Sequence, residues 1–464
     1  MKKIFILLCT FFLLPSMGWS EGAYAQQPRS SKRGVGTNNM AYRANYEVLA
    51  PGVSWFYNWT SSAPALIASD WESLDMDYIP MIWGGGIDQE DGRNRVRQYI
   101  SQHPSIKYLL GFNEPNFTSQ SRMTPQYAVQ QWPYMEQIAD EFGLTLVGPA
   151  LNFGPKGGSV VDPEDGHEYT DPYDWYDKFF SLCPDCRVDH IAIHLYMPTG
   201  ALQGVIEQFW NKYHRPIWLT EFNYNNGSSA TPEDHINFLT SELEQLEKNP
   251  HIFRYAWFMT YSSVWQINLL DLGEGHLTDL GKFYVGMSSF DSTYYHAVGE
   301  KIPAAHYQNA KSLTIRTSTD NHNALMLKDM STGSWAEYLV EVPADGTYDL
   351  YLRLACKAGS KIDIYEDDRK ITTLQPTATA TSDFDHWQTQ SLPLSLTAGR
   401  HRLKLYSAAR LFYYEWLSVG APTEDLDQCS NHKYETINHK YIKNGQLFIR
   451  TANADYNVLG QKIQ

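Results

Sequence analysis

Two glutamates are placed to do chemistry together. Glu114 closes the run Leu109-Leu110-Gly111-Phe112-Asn113-Glu114-Pro115, and Glu221 closes Ile217-Trp218-Leu219-Thr220-Glu221-Phe222. A carboxylate at the end of an apolar strand is costly to desolvate unless it is paired or used. One reaction that needs two carboxyl groups is cleavage of a glycosidic bond. One group protonates the leaving oxygen while the other works from the opposite face of the sugar, ~5–5.5 Å away where configuration is retained. A single Glu after a strand often only caps a helix or pairs with an arginine. Two of them at matching strand ends, in aromatic-rich loops, favour catalysis.

The elements that must hold them follow from the hydrophobic pattern. Short apolar runs recur at Gly34–Gly36, Val53–Tyr57, Tyr78–Trp83, Tyr108–Phe112, Thr145–Pro149, His190–Tyr196, Pro216–Phe222 and Tyr255–Met259. Amphipathic stretches such as Tyr127–Phe142 and Pro232–Lys248 lie between them. Continuous apolar strands alternating with helices predict an α/β fold with a buried parallel sheet, here a (β/α)8 TIM barrel. Glu114 then ends strand 4 and Glu221 strand 7, and the two tips face each other across the barrel mouth. From Ile302 to Pro422 the pattern shifts to period two, in Trp335–Val342, Tyr348–Ala355, Lys361–Tyr365, Trp387–Leu396 and His401–Tyr406. That predicts an all-β sandwich of jelly-roll-like type. The expected domains are a signal peptide (1–25), a catalytic barrel (26–295), a β-sandwich module (300–422), and a linker with a short tail (423–464).

Other residues gather around the pair. His194 and Tyr196 alternate on strand 6 and point the same way. Trp59, Trp83, Trp257 and Tyr261 follow or end strands 2, 3 and 8 and are candidates for stacking on sugar. His190, Asp189 and Trp218 sit deeper in their strands and read as structural. In the second region, Trp335, Trp387, Tyr413 and Trp416 either stack on sugar or fill the sandwich.

The motifs carry a resemblance. Lys32-Arg33-Gly34-Val35-Gly36, Trp55-Phe56-Tyr57-Asn58-Trp59, Gly111-Phe112-Asn113-Glu114-Pro115, the segment from Val188 to Tyr196 and Trp218-Leu219-Thr220-Glu221-Phe222 resemble glycoside hydrolase family 128, the endo-β-1,3-glucanases. The resemblance implies that Glu114 is the acid/base, that Glu221 is the nucleophile and that Asn113 binds the sugar 2-hydroxyl. The acid/base is expected to carry a raised pKa, held up by the charge of Glu221. Gly333-Ser334-Trp335-Ala336-Glu337-Tyr338, the stretch from Val342 to Tyr348 and that from Leu396 to Leu405 resemble a family 6 carbohydrate-binding module. Its opening strand, Ile302–Tyr307, lacks the acidic residues with which such modules often bind calcium. No metal or other cofactor is therefore expected, and structural calcium is not favoured.

Composition excludes several classes. The chain has 464 residues, 43% hydrophobic and 19% charged, with a formal charge of −15. No basic stripe is present, so nucleic acid is a poor partner. Lys2, Lys3, the apolar run Ile4–Leu14 and Ala23-Tyr24-Ala25 read as a cleaved export signal too short to span a membrane. A periplasmic, cell-surface or extracellular monomer acting on β-glucan is expected. Cys183-Pro184-Asp185-Cys186 suits a local disulfide or free thiols better than zinc, because no second pair exists. The sequons at Asn58, Asn116 and Asn226 lie on the face assigned to the active site and are expected to stay unglycosylated. Three readings remain open beside the glucanase: a retaining hydrolase of another β-glucan, a transglycosylase and a non-catalytic glucan-binding protein.

Overall fold

The computed structural model describes residues 28–422, except 39, 226, 228 and 380–382, together with strands at 437–443, 446–451, 455–457 and 462–463. The predicted export signal and the 423–436 linker lie outside the described residues.

Eight parallel strands form one sheet: β1 (Arg33–Gly36), β2 (Trp55–Tyr57), β3 (Asp77–Tyr78), β4 (Tyr108–Leu110), β5 (Thr145–Leu151), β6 (His190–Met197), β7 (Ile217–Tyr224) and β8 (Ile252–Phe258). Their order is β3-β2-β1-β8-β7-β6-β5-β4. The sheet curls until its two edges meet. Leu110 N donates to Pro80 O at 2.9 Å, and Asn113 N donates to Trp83 O at 2.8 Å. Trp55, Tyr57, Ile79, Met81, Leu110, Val147, Ala192, Trp218 and Ala256 fill the interior. Two glycines on β1 make room for this filling. A Cβ on Gly34 would lie 2.2 Å from the Trp55 ring, and one on Gly36 would lie 3.1 Å from the Trp59 ring.

The predicted (β/α)8 alternation is not regular. Full helices follow β3 to β8: α2 (Glu90–Gln102), α3 (Pro125–Phe142), α4 (Pro172–Leu182), α5 (Leu202–Tyr213), α6 (Pro232–Lys248) and α7 (Asp279–Gly286). After β1 there is only the four-residue α1 (Ala44–Glu47), and after β2 only a 3-10 turn at Trp71–Leu74. The β2–β3 connection carries Ser61-Ser62-Ala63-Pro64, and single helical turns are not self-supporting. The long helices start with clear signals. Pro232 opens α6 behind a Thr231/Asp234 capping box, and Thr124 caps α3 ahead of Pro125.

Beyond Phe290 come two short strands, β9 (His296–Ala297) and β10 (Ile302–Pro303), at the margins of two further sheets. One has the order β12-β13-β20-β15-β18, from Thr314–Thr317, Leu325–Met330, Phe412–Val419, Gly346–Cys356 and Gln388–Leu396. The other has the order β11-β14-β19-β16-β17, from Asn309–Lys311, Trp335–Val342, Gly399–Ala409, Lys361–Glu366 and Arg369–Leu374. Apolar side chains alternate inward along these strands, as in the Leu350, Leu352 and Leu354 row of β15. Four short antiparallel strands between Ile437 and Ile463 form a separate sheet.

Cys183 and Cys186 form a disulfide just after α4, and Cys356 is free and buried. Among the described residues no helix is long and apolar enough to cross a membrane.

Candidate active site

β6 and β7 lie side by side in register, with His194 opposite Glu221. Glu114 arrives from the other edge of the mouth, in the loop after β4. Its φ of 41° is left-handed, and so is the 57° of Trp59 after β2. Such backbone costs roughly 1–3 kcal/mol and persists where the surroundings force it. Glu114 N is held by Ala150 O at 2.8 Å, and Gly36 leaves space for the Trp59 indole.

The side chains converge. His194, fully buried, brings Nδ1 to 2.9 Å from Glu114 Oε1 and 3.2 Å from Glu221 Oε2. Both neighbours are carboxylate oxygens, so Nδ1 carries a proton. Asn152 Nδ2 donates to Glu114 Oε1 at 3.0 Å. Glu221 accepts from Trp59 Nε1 at 2.8 Å, from the Tyr57 hydroxyl at 3.3 Å and from the Tyr196 hydroxyl. One oxygen of each carboxylate and a ring nitrogen of His194 lie within 4.8 Å of one another. Among the described residues this is the only His/Cys/Asp/Glu trio able to hold a metal ion, and its ligating atoms already face one another.

The charges differ from expectation. Burial pushes the Glu114 carboxyl up, but the bond and charge of His194, with Asn152, outweigh it and hold it below the ordinary carboxylate value. Glu221 lies above that value, because burial and the charge of Glu114 outweigh His194, Tyr196 and Trp59. His194 is raised: burial lowers it, and the two carboxylates more than compensate. Glu114, expected as acid/base to be high, is therefore the lower of the two, and the cause is the imidazole. Burial, then the charge of Glu221, pushes the Tyr57 and Tyr196 hydroxyls well above their ordinary value, so both remain donors.

A cleft of about 490 Å³ opens over this group. Trp59, Trp83, Asn113, Glu114, Tyr196 and Glu221 all line it. Asn113 Nδ2 reaches Gln120 Oε1 at 3.5 Å, and its buried Oδ1 has no partner among the described residues.

Residues 34–284, more than half of the chain, match the family described as glycosyl hydrolase catalytic core. The chain belongs to the glycosyl hydrolase catalytic-core family. Residues 303–421 match the carbohydrate binding module (family 6). Alkali-sensitive linkage protein 1 of Schizosaccharomyces pombe is 28% identical over 270 residues, covering 55% of this chain and 44% of that protein. The match therefore spans less than half the length of that relative. Among solved structures, a family 128 (subgroup II) endo-β-1,3-glucanase from Sorangium cellulosum is 35% identical. It covers 55% of this chain and 97% of its own, with a TM-score of 0.49. A subgroup I enzyme from Amycolatopsis mediterranei in complex with laminaritriose is 27% identical, covering 55% and 98%, with a TM-score of 0.43.

Two barrel candidates of this glycosyl hydrolase lie elsewhere. Trp257 is fully buried on the helix-facing side of β8, where its Nε1 donates to Ile267 O at 2.8 Å and its ring meets Phe222 edge-on. Ala256 points inward, so the inward residue at the mouth is Phe258, two positions on. Phe258 and Met259 line the cleft in place of Trp257. Tyr261 is exposed and does not line it. Sequence reading also missed Tyr57, which strand parity with Trp55 marks as inward, and Asn152, for which there was no signal. Of the sequon asparagines, Asn116 is buried with Nδ2 bonded to Asn152 O at 2.8 Å, and Asn58 Nδ2 is bonded to Ser62 O at 3.1 Å. Asn226 lies outside the described residues.

The four module candidates do not converge. Trp335 is half-buried under Lys404 on one sheet. Trp416, on the other sheet, is buried with Lys301 over its ring at 4.9 Å, which leaves little face for a sugar. Only Trp387 and Tyr413 share a cluster, with Met326, Ala355 and Phe384.

Proposed function

We propose that this glycosyl hydrolase is an exported, monomeric, retaining endo-β-1,3-glucanase, and that its two-sheet module is a jelly-roll-like glucan-binding domain. The observation that carries the reaction type is the spacing of Glu114 and Glu221. Oxygens within 4.8 Å suit direct attack by one carboxylate, whereas an inverting pair stands ~6.5–9.5 Å apart to admit water. β-1,3-Glucan as substrate is supported by sequence: the Sorangium cellulosum endo-β-1,3-glucanase is 35% identical across 97% of its length.

In the first step Glu221 attacks the anomeric carbon, the glycosidic bond breaks, and Glu114 gives its proton to the leaving oxygen. In the second step Glu114 takes a proton from water, the oxygen of that water attacks the same carbon, and Glu221 leaves as carboxylate. Glu114 must therefore begin protonated. His194 can supply that proton along its 2.9 Å bond to Oε1, becoming neutral while Trp59, Tyr57 and Tyr196 keep Glu221 ionised. The net charge of the trio is unchanged by this transfer. Once Glu221 is esterified its charge is gone, and Glu114 is free to ionise as base. The unpartnered Oδ1 of Asn113 offers an acceptor for a sugar hydroxyl.

A panel of linear glucans, read by reducing-end release and by the anomer first formed, tests the reading. β-1,3-Glucan should be cut internally with the β-anomer appearing first. Glu114→Gln should lose about 10²–10⁴-fold in kcat. Azide should restore turnover to Glu221→Ala with inverted product. A first product of α configuration, or wild-type rates in Glu221→Ala, rejects it.

A further inference from the structure

The module is seated on the barrel in a definite direction. Helices that follow barrel strands begin at the catalytic face. Arg316 of β12 bonds Glu233 and, at 2.9 Å, Asn237 in the first turns of α6. Thr317 Oγ1 donates to Asp279, the first residue of α7, at 2.9 Å. At the far end of α6, Lys248 Nζ holds Gln308 O at 2.7 Å and Asn309 Oδ1 at 2.8 Å. β12 therefore runs toward the catalytic face and delivers the turn 318–324 there. The joint is also apolar. Leu325 packs over Gly286, the Phe290 and Tyr307 rings meet at 5.5 Å, and Ile302, Ala305 and Ile315 belong to the same buried cluster as the barrel core. A module joined in this way cannot swing as a tethered one would.

That turn carries the aromatic cluster of the module with it. Trp387 is buried and donates Nε1 to Thr319 Oγ1 at 3.0 Å, and it packs under the half-buried Phe384 and Tyr413, whose rings stack on each other at 4.0 Å. On the barrel side, the loop after β8 starts in the cleft at Phe258 and Met259 and ends at Asp279, where Thr317 touches it. The loop is braced: Asn268 bonds Ser262 N at 2.7 Å and Ser262 O at 3.1 Å, and Leu269 and Leu270 are buried beneath it. This firm frame nevertheless holds Trp265 64% exposed, with Tyr261 also in solvent. Val264 and Leu272 of the same loop are exposed as well; exposed apolar surface gathered on one segment marks a contact surface, and flat rings suit the apolar faces of pyranose sugars.

We propose that the β8 loop and the Phe384–Tyr413 pair extend the catalytic cleft, so that one glucan chain is bound across barrel and module together. This rests on the glucanase reading and adds a path for the substrate beyond the carboxylates. Continuity decides the occupant: cleft, loop, α7 start, turn and aromatic cluster follow one another along the catalytic face.

The test uses the full chain carrying Glu221→Gln, titrated calorimetrically with β-1,3-gluco-oligosaccharides of graded length. Affinity should keep rising beyond the length that the cleft alone accommodates. Trp265→Ala and Tyr413→Ala should each weaken the long ligands by at least about tenfold and leave the trisaccharide unchanged, and Trp265→Phe should recover most of the loss. Unchanged length dependence in both alanine variants overturns the proposal, as does a trisaccharide that titrates two independent sites per protein. So does a Trp265→Ala variant whose only change is loss of self-association in sedimentation. Failure of the glucanase reading would look different, because the wild type would then leave every β-1,3-glucan uncut.

Discussion

At the N-terminal end of the barrel, Arg254 sits against the rings of Trp55, Tyr108 and Trp218 at 5.7, 4.8 and 5.3 Å, and its guanidinium meets Asp77 at 2.5 Å. At the other end, Trp59, Tyr57 and Tyr196 surround Glu221, which faces Glu114 across a single imidazole. Both ends join aromatic rings to buried charge. Below, one cation has one anion and several π faces, so every contact is attractive. Above, two like charges are brought together, and two of the nearby residues, Glu114 and Trp59, hold left-handed backbone. The lower end can be read as stability, and the upper as stability given up for reactivity.

The contrast can be broken at either end. Glu221→Gln removes the proposed nucleophile and one of two repelling charges. Activity should fall by more than about 10⁴-fold, while the melting temperature stays level or rises. A large loss of Tm would show that Glu221 serves the fold instead. Arg254→Ala should do the opposite. It strips the ring contacts and leaves Asp77 unpaired, costing roughly 2–4 kcal/mol in urea unfolding, with kcat/KM per folded molecule unchanged. Loss of turnover without loss of stability would tie the lower end to catalysis.

Legibility in the sequence followed the same division. The eight strands announce themselves because buried parallel strands are apolar on both faces. Glu114, Glu221, His194 and Tyr196 stand out because their types are unusual at strand ends. What failed was parity where an aromatic bias misled: Trp257 looks like a platform, but β8 turns it toward the helices and gives Phe258 to the cleft. The left-handed φ of Glu114 and Trp59 has no marker in residue type. Nor does Asn152, which is brought to Glu114 only by the pairing of the β4 loop with β5. The one-turn connections after β1 and β2 show that strand spacing does not guarantee a helix between strands.

The upper end can also be divided into its parts. His194 is the cation that reverses the expected order of the two carboxyl groups, so His194→Gln should reveal how much of the acid function passes through it. In the wild type, the basic limb of kcat/KM should follow the raised value of His194, above the imidazole norm of about 6.5. In His194→Gln that limb should move down toward the carboxyl range, with a loss of about 10–100-fold at neutral pH. Stability should follow with a definite sign. The His194 contribution is full below its ordinary value and is lost as pH rises through the raised one, so calorimetric scans of the two proteins should converge at alkaline pH. An unmoved basic limb would place the proton on Glu114 without help from His194. Asn152→Ala is the gentler probe. It removes one neutral donor from Glu114 Oε1, the weaker of the two influences holding that carboxyl down, and leaves His194 in place. Up to about tenfold should be lost in kcat, with KM for short oligosaccharides unchanged and the acid limb, set by Glu221, unmoved. A shift in the acid limb would instead show that Asn152 acts through Glu221, and that the two carboxylates are less separable than their hydrogen bonds imply.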